Sequence, residues 1–383
     1  MMKLPLITFG LISFSILISS CKTDRTNTQT EEPIIGVWVT NVDSDILFSD
    51  DAIADGMERL AEMGFNTVYP VVWNDSYTLY PSQLMAETFG ESFRQDSAFS
   101  NHGRDPLAAV IQEARKHDLR VIPWFEFGFS SSHSKNGGHI IEAKPEWAAK
   151  DSSGQLLTKN GFEWMNAIHP EVQDFVAGLV LEVARNYDID GIQGDDRLPA
   201  MPSEGGYSDF TRQLYSDETG DQVPANPSEE NFLNWKADKL SDFAERLYSD
   251  VKEVNPDLTV SFSPSIYPWS KQEYLQDWPE WIRRGAVDEL IPQVYRWDIE
   301  SYKATLDETL QFYEEAAGPS GVQFASGIII KAGARYNGFD YVKEAVDYNR
   351  SNGVDGEVYF FYEGLFENNG HLGDSLKTHY YSP

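Results

Sequence analysis

Two consecutive carboxylates, Asp195 and Asp196, close the segment Asp188-Ile-Asp-Gly-Ile-Gln-Gly-Asp-Asp-Arg197. The segment reads as a short buried strand running into a long polar loop. A strand that delivers carboxylates to a loop-covered rim is how parallel barrels build acid/base and nucleophilic sites. Residues 191, 193 and 195 share one face of such a strand, which aims Asp195 at the mouth. A second strand, Arg120-Val-Ile-Pro-Trp-Phe-Glu-Phe127, ends in Trp124 and Glu126. Apolar surroundings disfavour the charged form of a carboxyl, so the pKa of Glu126 is expected to rise. That is what a general acid needs near neutral pH. Carboxylates beside aromatics suit glycosidic bond cleavage, in which one carboxyl protonates the leaving oxygen and the other meets the developing cation. The same residues admit plainer roles. Paired turn aspartates cap helices, and Glu126 could pair with Arg104 or Arg197. Adjacent carboxylates also suit Ca²⁺ or Mg²⁺, but a calcium loop needs further ligands at regular offsets, and the sequence does not supply them.

A third strand, Leu290-Ile-Pro-Gln-Val-Tyr-Arg-Trp-Asp298, offers Asp298 as a competing acid. Tyr295 and Trp297 could stack on sugar faces while Arg296 holds a carboxylate or hydroxyl. Trp38, Trp73 and Trp124 are further ring candidates, and Lys331 and Glu363 are lesser candidates at the rim. Arg197, Arg296 and Lys331 could engage substrate carboxylates in an otherwise acidic protein. The seven histidines show no metal-ligand spacing. There is no phosphate-binding glycine loop, dinucleotide fingerprint or serine elbow. No cofactor and no metal are expected.

The elements that must position these residues alternate. Strand signals fall at 35–40, 66–72, 120–127, 189–195, 258–264, 290–295, 324–330 and 357–362. Helical periodicity falls at 51–63, 106–117, 170–187, 231–254, 271–284, 299–317 and 341–352. Strands that alternate with helices imply βαβ units and a parallel sheet. Eight such strands predict a closed (β/α)8 barrel, the TIM-barrel architecture. Three strand-to-helix loops are long, at about 73–104, 128–169 and 197–230. They carry Trp73, Tyr77, Tyr80, Trp147, Trp164 and Tyr207, so they are expected to wall a groove over the C-terminal face.

The balance of 61 acidic against 30 basic residues, net −31, argues against nucleic acid or an anionic membrane surface as a partner. A polysaccharide or oligosaccharide is the expected ligand; composition sets no oligomeric state. Cys21 is the only cysteine in 383 residues. Lys3, the apolar run 4–18 and the small residues before Cys21 read as a secretory signal. Leu17-Ile-Ser-Ser-Cys21 resembles a bacterial lipobox. The expected organisation is a signal peptide at 1–20, a lipidated Cys21 with a flexible tether to 32, and one barrel at 33–383. The protein is then exported and held at the cell envelope through acyl chains alone, since no later stretch reaches the ~20 apolar residues of a spanning helix.

Taken as a set, Gly36-Val-Trp-Val-Thr40, Gly64-Phe-Asn-Thr-Val-Tyr69, Val121-Ile-Pro-Trp-Phe-Glu-Phe127, Asp190-Gly-Ile-Gln-Gly-Asp-Asp196 and Pro292-Gln-Val-Tyr295 resemble the glycosyl-hydrolase-like family 10. These are secreted or lipid-anchored bacterial proteins distantly related to α-amylases and α-galactosidases. The resemblance spans about residues 33–365 and implies a (β/α)8 barrel with glycosidase activity. It also implies a substrate class for some members, peptidoglycan glycan strands lacking stem peptides. The family's strand-four Asp-Asp falls on Asp195 and Asp196. Against α-amylases two departures stand out. Gln193 replaces an arginine, and strand five, Leu258-Thr-Val-Ser-Phe-Ser-Pro-Ser265, carries no carboxylate. A catalytically silent, glycan-binding surface lipoprotein is the alternative expectation, because a fold alone does not grant activity.

Overall fold

The computed structural model describes residues 32–318, 320–354 and 356–381. The expected signal peptide, Cys21 and all but the last residue of the tether lie outside the described residues. Eight parallel strands form the centre: β1 (Ile35–Val39), β2 (Thr67–Pro70), β3 (Arg120–Val121), β4 (Gly191–Gly194), β5 (Thr259–Phe262), β6 (Glu289–Leu290), β7 (Ser326–Ile329) and β8 (Glu357–Phe360). β1 pairs with both β2 and β8, β8 with β7, and β2 with β3. β5 pairs with β4 and β6. Parallel bridges Trp124↔Gln193 and Gln293↔Gly327 join the two runs, so the ring closes.

A helix packs behind each strand, short only after β5: α1 (Asp50–Glu62), α2 (Pro106–Arg115), α3 (Pro170–Asn186), α4 (Glu230–Val254), α5 (Trp278–Arg283), α6 (Ile299–Ala317), α7 (Phe339–Ser351) and α8 (Tyr362–Leu376). Their starts are written in the chain. Ser49 and Asp105 accept from the amides of Ala52 and Ala108, and proline opens α2 and α3. Apolar stripes then turn inward, as with Val172, Phe175, Val176, Leu179 and Val183 of α3. The helix expected at 271–284 is instead two pieces, Trp269–Tyr274 and α5. Leu275 is left-handed between them, at φ 62°, and Pro279 opens α5. α8 was not expected, because Gly364 and Gly373 weaken its helical signal.

The barrel interior carries a polar chain. Tyr69 Oη and Ser261 Oγ donate to Glu289 Oε1, Gln193 Nε2 donates to Ser261 Oγ, and Trp38 Nε1 donates to Gln193 Oε1. Arg120 faces Glu289 at 3.4 Å. Every member except Arg120 is buried, so each polar atom needs a partner of this kind. Gln193, which stands in place of an arginine, is therefore a link in the core. At the opposite end from the mouth, Tyr381 is buried against Tyr359 and bonds Glu357. Gly64 (φ 87°) admits this contact; a Cβ there would lie 2.6 Å from Tyr381.

Short antiparallel pieces build the mouth: Trp73–Asn74 with Tyr77–Thr78, Ser130–His133 with Phe162–Trp164 and Thr158–Lys159, and Lys331–Ala332 with Arg335–Tyr336. Most of the loop aromatics join the main core, and Tyr207 packs in a small cluster with Tyr215 and Phe232. Trp73, Tyr80, Trp147, Trp164 and Tyr207 are buried, and only Tyr77 among those six is half-buried.

Candidate active site

β4 ends at Gly194 and delivers Asp195 to the floor of the mouth, where it is 1% exposed. Both its oxygens are engaged: Trp124 Nε1 donates to Oδ2 at 3.0 Å and the Arg197 amide to Oδ1 at 2.9 Å. Its own carbonyl accepts from Gln276 Nε2, which also reaches Pro199 O. Asp196 turns outward and keeps a third of its side chain exposed.

Arg197 gathers the charges. Its Nε donates to Glu126 O at 2.8 Å, and one terminal nitrogen lies 3.2 Å from Glu126 Oε1 and 3.7 Å from Asp195 Oδ2. The other terminal nitrogen lies 3.2 Å from Asp196 Oδ1. The guanidinium also covers the Phe162 ring, 4.7 Å away. The shared nitrogen keeps Glu126 and Asp195 carboxylate oxygens within about 7 Å, which allows either stereochemical course of glycoside hydrolysis. Gly128 makes the approach possible: at φ 50°, a Cβ there would fall 2.0 Å from Arg197 O.

Three carboxylates share one guanidinium, so full ionisation leaves a surplus of negative charge in a poorly solvated place. Burial pushes Glu126 up to about 7, with Asp196 adding to the rise and Arg197 opposing it. Burial, then Asp196, also raises Asp195. Geometry decides where a shared proton sits. Asp195 accepts two N–H bonds, which favour its charged form. Glu126 Oε2 is buried and has no hydrogen-bond partner among the described residues. The proton belongs on Glu126.

Glu126 lines a cleft of about 590 Å³ whose other walls include Asn41, Asn74, Phe127, His133, Lys135 and Phe162. That volume is typical of small-molecule sites and here opens on a carboxyl able to give a proton. A family model described as glycosyl hydrolase-like 10 matches residues 33–340, most of the chain. The chain belongs to the glycosyl hydrolase-like 10 family. Within reach of this family, the chain is 21% identical to glycosyl hydrolase DigH of Escherichia coli K12, across 83% of this chain and 81% of the relative. It is 22% identical to glycosyl hydrolase YngK of Bacillus subtilis, across 85% of this chain and 66% of that one. Among solved structures, the glycoside hydrolase domain of PgaB from Bordetella bronchiseptica superposes with a TM-score of 0.64. Identity there is 12%, with 90% of this chain and 99% of that chain covered. An endo-1,4-β-D-mannanase from Thermotoga petrophila gives 0.54 at 11% identity, covering 86% and 88%. At such identities the likeness speaks for the fold.

In this glycosyl hydrolase-like 10 chain the other expected site residues divide. Tyr295 stays with the cluster: burial, then Asp196, Asp195 and Glu126, raise its hydroxyl's pKa. Asp298 does not join as an acid. It is exposed and caps α6, accepting from the Ser301 amide at 2.9 Å, a bond that lowers its pKa. Trp38 and Trp73, expected as sugar platforms, have 1% and 0% of their surface exposed and pack the barrel and the first mouth hairpin. Trp124 contributes its N–H rather than its ring face, being 3% exposed. Arg197 is paired with the three carboxylates rather than extended into the cleft. Arg296 donates to Tyr295 O, and Trp297 lies under Arg335. Lys331 pairs with Glu367, and Glu363 accepts from Ser44 Oγ, in a separate depression on the rim. Sequence reasoning missed Phe162 and Gln276. Phe162 had a signal in the aromatic triplet Phe162-Glu-Trp164. Gln276 had none, because its contact depends on how the β5 loop folds over β4. No cluster of potential metal ligands occurs among the described residues.

Proposed function

We propose that the protein is a glycoside hydrolase acting on the O-glycosidic bonds of a bacterial or environmental polysaccharide with two carboxylates. Peptide-free peptidoglycan glycan strands are a named candidate substrate. The observation that carries this reading is Glu126: a carboxyl with a pKa near 7 and an unpartnered buried oxygen, on a cleft wall, close to Asp195. Protonated Glu126 gives its proton to the leaving oxygen as the C–O bond breaks. Asp195, held ionised by its two N–H donors, meets the positive charge at the anomeric carbon, with Asp196 beside it. Water then completes the hydrolysis, and Glu126 regains a proton. The experiment is release of reducing ends from a polysaccharide panel that includes peptide-stripped peptidoglycan. Glu126→Gln and Asp195→Asn are each expected to lower turnover by at least 100-fold. Turnover that survives both changes sinks the assignment.

A catalytically silent glycan binder is the second reading, favoured by one feature. Arg197 pairs with all three carboxylates, as a purely structural cluster would. Binding without turnover on the whole panel is its signature. The proposal also places the protein at the cell envelope, anchored through lipidated Cys21. Cys21→Ser is expected to move it from the membrane fraction to the soluble one.

A further inference from the structure

The cleft beside Glu126 draws its walls from the segments that follow β1, β2, β3, β7 and β8. In the ring these lie to one side of β4, the strand that delivers Asp195. The other side, at β5, carries aromatics that the mechanism leaves unused. Trp269 is 45% exposed, one of three large apolar side chains so open among the described residues. A lone exposed tryptophan needs no explanation. This one is not alone: its ring centre lies 5.4 Å from that of Tyr274, tilted by 53°. Tyr274 is fixed in turn by Trp164 and by Asn160 Nδ2, which donates to its hydroxyl at 2.9 Å.

The same short helix is fastened to the catalytic segment. Tyr274 O accepts from the Met201 amide, Glu273 O accepts from the Ser203 amide, and Gln276 holds Asp195 O. Burial raises the Tyr274 hydroxyl pKa, Lys159 opposes the rise and Asp196 adds to it. The open ring is that of Trp269, because Lys159 Nζ, held by Glu204 and Glu273, lies 4.8 Å from the Tyr274 ring. An open ring backed by a second, fixed ring offers a sugar apolar contact for its C–H face.

We infer that Trp269 and Tyr274 form a second sugar-binding platform on the β5 side of Asp195, so that a polysaccharide lies across the mouth and is cut internally. The inference rests on the glycosidase reading for the cut, but not for the binding. Two arms flank the carboxylates, so sugars are held on both sides of the broken bond. A chain-end enzyme would close one arm.

The test uses Trp269→Ala and Trp269→Phe on peptide-stripped peptidoglycan strands, glycol chitin and soluble starch. Whichever polymer the wild type cleaves, Trp269→Ala is expected to raise KM about tenfold while kcat stays within about twofold, and Trp269→Phe to restore most of KM. Early wild-type products are expected to be mid-length fragments. Unchanged KM in Trp269→Ala, or products released one unit at a time from the start, overturns the inference while the glycosidase reading stands. If no polymer is cleaved, the glycosidase reading falls, and gel retardation by the same polymers tests the platform by itself. Retardation of wild type that Trp269→Ala abolishes supports it; equal mobility of the two proteins overturns it.

Discussion

At the scale of single residues, the proposed reaction turns on one proton, that of Glu126, beside Asp195, Asp196 and Arg197. In that reading the acid form of Glu126 is the working one, and it is lost as pH rises through about 7. kcat/KM is therefore expected to fall tenfold per pH unit on the alkaline side of that value, measured with saturating buffer and a neutral glycan. Arg197→Met removes the charge that holds Glu126 down, so the alkaline limb is expected to shift upward by at least one pH unit. An unmoved limb would mean that Glu126 is not the group being read. Stability follows the same group. Its folded pKa is raised, so its favourable contribution is present below its unfolded value near 4.5 and is lost as pH climbs towards 7. Glu126→Gln escapes that loss and should be more stable than wild type at pH 8, by on the order of 2 kcal/mol in urea unfolding. The residues at strand ends were legible in the sequence because a barrel puts strand ends at the mouth. Arg197 was legible as a possible partner for Glu126. That one fork takes Glu126, Asp195 and Asp196 together was not, because it depends on Gly128, whose φ no pattern announces.

Among elements, the loops decide how the carboxylates are held. Lys236 of α4 is fully buried and donates to the carbonyls of Ser203, Gly205 and Pro227, drawing the loop after β4 onto the helix. Lys236→Met would strand those carbonyls. The expected cost is about 2–4 kcal/mol in denaturant unfolding, with a fall in kcat/KM because Asp196 loses its support. A variant as stable as wild type would show that the loop is held from elsewhere. The alternation of strands and helices was legible, because each βα unit carries its own apolar period and its own turn. The mouth hairpins were not, being two to four residues long, too short for any period to show. The β5 loop was read as one helix, since the left-handed Leu275 that breaks it has no sequence signature.

For the whole molecule, a net charge of −31 is the dominant fact. Most of the ion pairs among described residues have an exposed partner and contribute little each. Self-repulsion should therefore outweigh them, and screening should stabilise the fold. Raising NaCl from about 0.05 to about 0.5 M is expected to lift Tm by about 2–5 °C in calorimetry. A fall in Tm would mean that ion-pair networks, not repulsion, set the balance. Charge and composition argue against nucleic acid as a partner; they cannot distinguish one candidate glycan from another, because ring contacts carry that choice.

Tyr381, seated against Phe65, Tyr359 and Gly64, has a consequence for the birth of the protein. The strand that opens the barrel is among the first parts of this domain to leave the ribosome, yet β8 must come to rest beside it and residue 381 must fill the floor beneath. A nascent chain lacks both partners until residue 381 has emerged. Folding of this barrel therefore waits on the emergence of its last strand and of Tyr381, and until then the polypeptide stays open to whatever chaperone meets it first.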